Sequence, residues 1–398
     1  MFFREIKSHN LFLYETKVIF CFIKTVLIEN FYNFVKDWMN FMQMKELQEY
    51  KVIGMMSGTS LDGLDIAYCV FRKEAQWVFE IGPATTIAYD ARWKESLSTL
   101  EKKSAFEFVK THSEYGHYLG QQVQRFIASH QLKPDFVASH GHTIFHQPHQ
   151  KITTQIGDGA AIAGICGLPV VCDFRSLDVA LGGQGAPLVP LGDAFLFPNA
   201  AACLNLGGIA NISFQVSGLR MAFDICPVNM VLNYLAATLN LDFDDEGKAA
   251  ASGKVNISLL QALNNLHFYM KPAPKSLGKE WVYEQFIPLL AATNCSTADK
   301  LATVTEHIAL QIKSAIPGLP DNASMLITGG GAFNTYLVKR IEALSGINCL
   351  VPESKIINYK EALIFAFLGM LRMLNEVNCL KSVTGAERDN IGGAIYLG

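Results

Sequence analysis

Short, nearly unbroken apolar runs alternate with polar, glycine-bearing turns along most of this chain, and the same order of runs occurs twice. In the first half KVIGMM leads into the turn SGTSLDG, then LDIAYCVF and WVFEIGPATTIAY follow, each predicting a strand. A stretch of helical periodicity comes next, over roughly residues 91–103. In the second half AACLNL leads into Gly-Gly, then IANISFQV, a Ser217-Gly218 turn and RMAFDI predict three more strands, with a helix over VNMVLNYLAATL. DFVASHGHTIFH and SMLITGGGAFNTYL extend the parallel, each reading as a buried strand that ends in a glycine-bearing turn. A helix (DGAAIAGICG, FNTYLVKRIEAL) and a strand (PVVCDF, NCLVPES) then follow in both, and EALIFAFLGMLRMLNE closes the second half as a last helix.

Hairpins feeding into βαβ units predict an α/β fold of mixed sheets flanked by helices. Duplication of the unit predicts two facing domains, with polar strand-end loops lining the cleft between them. A single large Rossmann-like domain lacks support, because no GxGxxG follows the first strand.

Composition narrows the partners. Half of the 398 residues are apolar and 17% are charged, enough to bury one large core or two ordinary ones. The net charge is −3 and no Lys/Arg stripe is sustained, so there is no electrostatic footprint for nucleic acid or an anionic membrane, and a small-molecule partner is expected. Nine cysteines, an odd number without CxxC or paired ligand spacing, point away from a disulfide framework and toward the cytoplasm.

Residues 1–43 differ from the rest, being rich in Phe, Ile and Tyr, and Met39, Met42 and Met44 precede a more ordinary start. The run VIFCFIKTVLI is interrupted by Lys24 and falls short of the ~20 apolar residues of a membrane helix. The expectation is an upstream extension outside the fold; the alternative is an amphipathic helix lying on a membrane.

The turn SGTSLDG offers Gly58 and Gly63, the hydroxyls of Thr59 and Ser60, and Asp62, which could hold Mg2+ through water. Alone, such a turn more often just reverses the chain. LNLGGIAN repeats the pattern with Gly207 and Gly208, and ITGGGAFN adds Gly329, Gly330 and Gly331 before a helix. Three glycine turns at equivalent strand ends suggest a nucleoside triphosphate lying along one cleft. No Walker A lysine accompanies them.

From about Tyr50 to the C-terminus the chain resembles the anhydro-N-acetylmuramic acid kinases, within the two-domain sugar kinase, Hsp70 and actin superfamily. The resemblance rests on GMMSGTSLDGLD, SHGHTIFHQP, QIGDGAAIA, VVCDFRSLDVALGGQGAPLVP, LNLGGIANIS, FD followed by PxN, PKSLGKE, ITGGGAFN and EALIFAFL. It implies two duplicated ribonuclease H-like domains, residues 44–178 plus about 378–398 and residues 179–377, with the active site between them. It implies an enzyme that phosphorylates 1,6-anhydro-N-acetylmuramic acid with ATP and Mg2+ and opens the anhydro bridge with water, giving N-acetylmuramic acid 6-phosphate. A homodimer is admitted; nucleic acid and membrane are not expected as partners. The alternatives are a kinase of this architecture acting on another sugar, and a catalytically silent ATP-binding sensor.

Residue by residue, the resemblance makes Asp224 the catalytic base, whose plainer reading is an N-cap for the helix beginning near Val228. It puts Gly58, Thr59, Ser60, Leu61, Asp62, Gly63, Leu64 and Asp65 on ATP phosphates and Gly329–Gly331 at the nucleoside end. Arg175 would bind the lactyl carboxylate or a phosphate oxygen, unless it pairs with Asp173 or Asp178. GGQGAP, residues 182–187, looks like a hinge with Gln184 reaching the cleft. Glu361 matches a glutamate near the sugar, though a glutamate at a helix start ordinarily just suits the dipole. His140, His142, His146 and His149 lack ligand register for zinc, and His142 or Thr143 touching substrate competes with packed strand histidines. The family usually has glycine where Cys226 and Val228 stand, so the loop after the base has lost two permissive positions.

Overall fold

Each triplet of apolar runs folds into an antiparallel meander in the computed structural model, which describes residues 49–58, 60–316, 319 and 323–398. The expectations for residues 1–43 and for Thr59 lie outside the described residues. In the first sheet β1 (Glu49–Ser57), β2 (Gly63–Lys73) and β3 (Trp77–Ala88) pair in sequence, β4 (Phe136–Gln147) lies parallel to β1, β5 (Ile152–Ile156) pairs antiparallel with β4, and β6 (Val170–Cys172) lies parallel to β4. The second sheet repeats this with the meander β7 (Ala202–Leu206), β8 (Ile209–Val216) and β9 (Leu219–Pro227), then β10 (Ser324–Thr328) parallel to β7 and β11 (Asn348–Leu350) parallel to β10. The orders β3-β2-β1-β4-β6 and β9-β8-β7-β10-β11 are one topology used twice, a duplicated ribonuclease H-like α/β fold. A last strand, β12 (Ala394–Tyr396), returns to the first sheet and pairs antiparallel with β6.

Three elements depart from the sequence reading. The helix at residue 91 ends at Thr99 with a 3-10 turn after it, and a 26-residue helix, Ala105–His130, follows that the periodicity reading passes over. Ser104 restarts the helical path through a capping box with Glu107, satisfying free N–H groups at both residues. β4 does not end at its glycine: it continues through Gly141 and turns back as a hairpin with β5. The last helix, Ser354–Leu374, packs across β1, β2 and β4 of the first sheet instead of closing the second half.

That last contact positions the site. Gly54 in the middle of β1 lets the helix backbone approach, since a Cβ there would run into the Ala362 carbonyl. Phe365 and Phe367 are buried on the same helix, each contributing on the order of 2 kcal/mol by removal from water. Phe367 packs on Phe71 and Trp77, and Phe365 on His140 and Phe174. No described helix is long and apolar enough to cross a membrane.

Candidate active site

The glycine turns of the second sheet are locked to each other. Asn229, the first residue of the helix Asn229–Ala237, donates its side-chain amide to Leu206 O at 3.0 Å and its backbone N–H to Gly207 O at 3.1 Å. Gly208 O accepts from Val228 N at 2.9 Å. Gly329 has φ +79°, and a Cβ there would collide with the Asn205 side chain and lie 2.8 Å from Leu206 O. Only glycine fits at Gly329, and Gly207, Gly208, Gly329 and Gly330 leave bare backbone surface at the turns, with Gly208 and Gly330 exposed and Gly331 buried behind them. Such a surface fits a phosphate chain, which backbone N–H groups bind at close range. Asn229 stands in the PxN that follows Asp224, and its clamping role was not legible from the sequence.

The first turn, between β1 and β2, exposes Ser60 and Asp62, and Leu61 takes a positive φ of 61°. Leu64 faces away: its side chain is buried in the first core, so it offers only backbone to any ligand. Asp65 accepts from Thr86 Oγ1 at 2.6 Å, and burial raises its pKa above the ordinary aspartate value. Among the described residues no set of three His, Cys, Asp or Glu side chains converges to hold a metal. This donor set suits Mg2+, which is usually held by one or two carboxylates together with substrate phosphates.

Asp224 sits at a β-bulge. The β8–β9 ladder passes from Asn211–Asp224 to Ala210–Cys226, leaving Ile225 unpaired, a distortion that re-aims neighbouring side chains. β9 is the sheet edge, and the PKSLGKE segment covers it: Asp224 N donates to Lys275 O at 2.9 Å. Its carboxylate Oδ2 accepts from Leu277 N at 2.8 Å and Ser276 Oγ at 3.2 Å. The N-cap alternative fails, because the cap is Val228 and no side chain bonds there. Burial raises the Asp224 pKa, and the bonds from Leu277 and Ser276 only partly counter it. The result is a fixed carboxylate more basic than an exposed aspartate.

Arg175 makes no salt bridge with Asp173 or Asp178. Its Nε and Nη2 lie 3.0 and 2.9 Å from His140 Nε2, and Nη1 donates to Gly185 O at 2.6 Å. All these acceptors are neutral. His140 is held uncharged by burial and then by the Arg175 charge, which press its pKa well below the ordinary histidine value, and its Nδ1 faces Gly141 O at 3.0 Å. The guanidinium thus hydrogen-bonds no carboxylate, and burial lowers its pKa to about 10 against the nearby charge of Glu361.

Asp178, fully buried, accepts instead from Gly185 N, Cys379 Sγ, Thr384 Oγ1 and Asn390 Nδ2 at 2.8–3.0 Å. Gln184 is exposed, but its N–H is bound to Thr384 O, so the middle of the GGQGAP loop is pinned by Asp178 and the C-terminal segment. The short helix Lys381–Thr384 in turn packs against β9, the strand that carries Asp224.

Glu361 is reached by solvent yet surrounded by protein, as on a cleft floor. Burial raises its pKa, against the opposing charges of Arg175 and Lys360 and together with that of Asp65. Arg175, Glu361 and Asp65 therefore share one electrostatic neighbourhood. His142 does not open onto it: it is only 3% exposed, its Nδ1 lies 2.8 Å from Ser57 Oγ, and burial lowers its pKa to about 4. It is a packed strand histidine in a chain with Tyr89 and Tyr115 beneath the first turn. Thr143 accepts from Gln155 Nε2 at 3.3 Å on the β4–β5 hairpin and is partly exposed.

The motifs and geometry agree with what known proteins share. The family model described as anhydro-N-acetylmuramic acid kinase matches residues 50–398. An anhydro-N-acetylmuramic acid kinase of Paramagnetospirillum magneticum is 35% identical over 356 residues, covering 86% of this chain and 98% of that protein. Those of Rhodospirillum rubrum and Sulfurovum sp. are each 33% identical, covering 86% and 88% of this chain and 93% and 100% of theirs. With the match running through both sheets and every glycine turn, the chain belongs to the anhydro-N-acetylmuramic acid kinase family.

Proposed function

We propose that this chain phosphorylates O6 of 1,6-anhydro-N-acetylmuramic acid and opens the anhydro bridge with water, giving N-acetylmuramic acid 6-phosphate. The observation that carries the reading is Asp224, fixed by Leu277 and Ser276 beside the interlocked glycine turns. When bound, ATP with Mg2+ supplies the phosphoryl group that O6 receives as the C1–O6 bond breaks, and neutralises the charge that develops.

The protein's own part is positional and basic. Asp224 takes the proton from water as the oxygen attacks C1, a role its raised pKa favours. Gly58, Ser60, Gly63 and the Gly207–Gly208 and Gly329–Gly331 turns would hold the phosphates, and Asp62 would hold Mg2+ through water. Arg175 receives the lactyl carboxylate, and Glu361 orients the sugar. We place the reaction in the cytoplasm, where ATP is supplied.

Incubation with ATP, Mg2+ and the anhydro sugar, followed by ADP release and sugar mass, tests this. The product is expected to gain one phosphate and one water. Phosphate without water overturns the coupled opening, and ADP release only with a different sugar overturns the substrate.

A further inference from the structure

We propose that Lys360 is a positioning residue for this reaction, tying the Gly329–Gly331 turn to the helix that carries Glu361. The inference rests on the kinase reading and adds a residue that the reaction chemistry does not itself require.

Lys360 is 5% exposed and lies one residue before Glu361 on the helix Ser354–Leu374. Its Nζ reaches Asp193 Oδ1 at 2.8 Å and donates to Thr328 Oγ1 at 3.3 Å, with the Phe197 ring 5.6 Å away. Thr328 is the last residue of β10, immediately before Gly329. Asp193, on the helix Val189–Leu196, accepts at Oδ2 from Ser213 Oγ at 2.5 Å, and Ser213 Oγ accepts from Arg220 Nη2 at 2.7 Å. A helix seated on the first sheet is thereby bonded, through one ammonium, to the glycine turn and the β8–β9 hairpin of the second.

The arrangement is more than a structural ion pair. Two cations, Lys360 and Arg220, face the Asp193 carboxylate, and the neighbouring Glu361 carboxylate also acts on Lys360, so the ammonium is coupled to Glu361 as well as to the second sheet. Burial works against the Lys360 charge, but Asp193, Cys203 and Glu361 together outweigh it and keep the group protonated. The Thr328 bond adds direction: it fixes where β10 delivers Gly329 relative to Glu361.

Thr328→Val removes only the hydroxyl and leaves the Lys360–Asp193 pair in place. Calorimetric titration with ADP is expected to show about fivefold weaker binding as the turn loses its anchor, with a small fall in melting temperature from the lost internal hydrogen bond. Lys360→Met is expected to lower kcat on the order of a hundredfold through displacement of Glu361 and the turn. In the triple variant Lys360→Met, Asp193→Leu, Arg220→Met, which leaves none of these buried charges unpaired, folding stability returns toward wild type while kcat stays low. Recovery of kcat along with stability, or ADP binding by Thr328→Val equal to wild type, would overturn the positioning role. A wild-type chain that binds no ADP would instead overturn the kinase reading, and this inference with it.

Discussion

Replacing Asp224 by asparagine isolates the basicity of one oxygen. Oδ2 is the oxygen held by Leu277 N at 2.8 Å and Ser276 Oγ at 3.2 Å, and an asparagine amide oxygen placed there accepts both bonds. The backbone bond from residue 224 to Lys275 O is untouched by the change. Shape and anchoring therefore persist while the proton acceptor disappears. A positioned general base contributes about 10²–10⁴ in rate, or roughly 3–5 kcal/mol of barrier. Because nothing else described at this bulge can take the proton, kcat should fall by about 10³ or more, with KM for ATP within about twofold. The raised pKa adds a stability signature of fixed sign: the folded state disfavours the carboxylate's charge, so the neutral variant should melt higher than wild type at neutral pH. Coupled ADP release gives the kinetics and scanning fluorimetry the melting temperature. A kcat within tenfold of wild type would remove Asp224 as base, and a lowered melting temperature would show that the side chain acts mainly through structure.

Ser276→Ala should shift the acid limb of the rate profile upward by about half a pH unit, because a long hydrogen bond to the charged form of Asp224 is lost; an unmoved limb refutes the clamp. His140→Leu should raise KM for the acidic sugar on the order of tenfold with kcat little changed, and His140→Gln, which keeps an acceptor for Arg175, should restore much of it. Equal KM in both variants would mean that Arg175 needs no such partner. Acid should destabilise the fold well before the usual carboxylate range. His142 and His307 have pKa values lowered to about 4 and about 3, and that of His140 is lowered too, all chiefly by burial. As pH falls below the unfolded value of about 6.5, only the unfolded chain binds these protons, costing up to about 4 kcal/mol per pH unit for the three. Asp65, Asp224 and Glu361, with raised values, protonate first in the folded state and offset part of it. Denaturation at pH 7, 6 and 5 measures the slope, and equal stability at all three refutes it.

What the sequence made legible was local. A glycine turn after a strand is written in adjacent residues, so the β1–β2, β7–β8 and β10 turns could be placed without coordinates, and their repetition disclosed the duplicated topology. What it hid depends on distant pairing. His140 and His142 lie two apart on β4, on one face by the strand period, and pattern alone could not choose between them. The fold gives His140 to Arg175 and His142 to Ser57, partners 35 and 85 residues away. Asp178 reads as a salt-bridge partner because it lies close to Arg175 in sequence, but three of its four donors come from residues 379–390, brought back where β12 closes the first sheet. Its place in the chain assigns the last helix to the second half, whereas Gly54 and the aromatic contacts of Phe367 seat it on the first sheet.

The replacement of family glycines by Cys226 and Val228 can now be weighed physically. Neither residue takes a positive φ; Val228 has φ −125°. The backbone after the base therefore does not require glycine here, and its close approach to the turn is made by the Val228 N–H to Gly208 O, which any residue but proline can supply. Both side chains are fully buried in the second core, and burial pushes the Cys226 thiol far above its ordinary pKa, which makes it inert as a nucleophile. The extra atoms thus thicken the packing beneath the bulge instead of narrowing the cleft above it. On the proposed function, substrate discrimination falls to Asp224 with its Ser276 and Leu277 clamp, Glu361 and Arg175. A chain can lose both glycines and keep the same pocket chemistry, provided that the bulge at Ile225 still aims Asp224 toward the PKSLGKE segment.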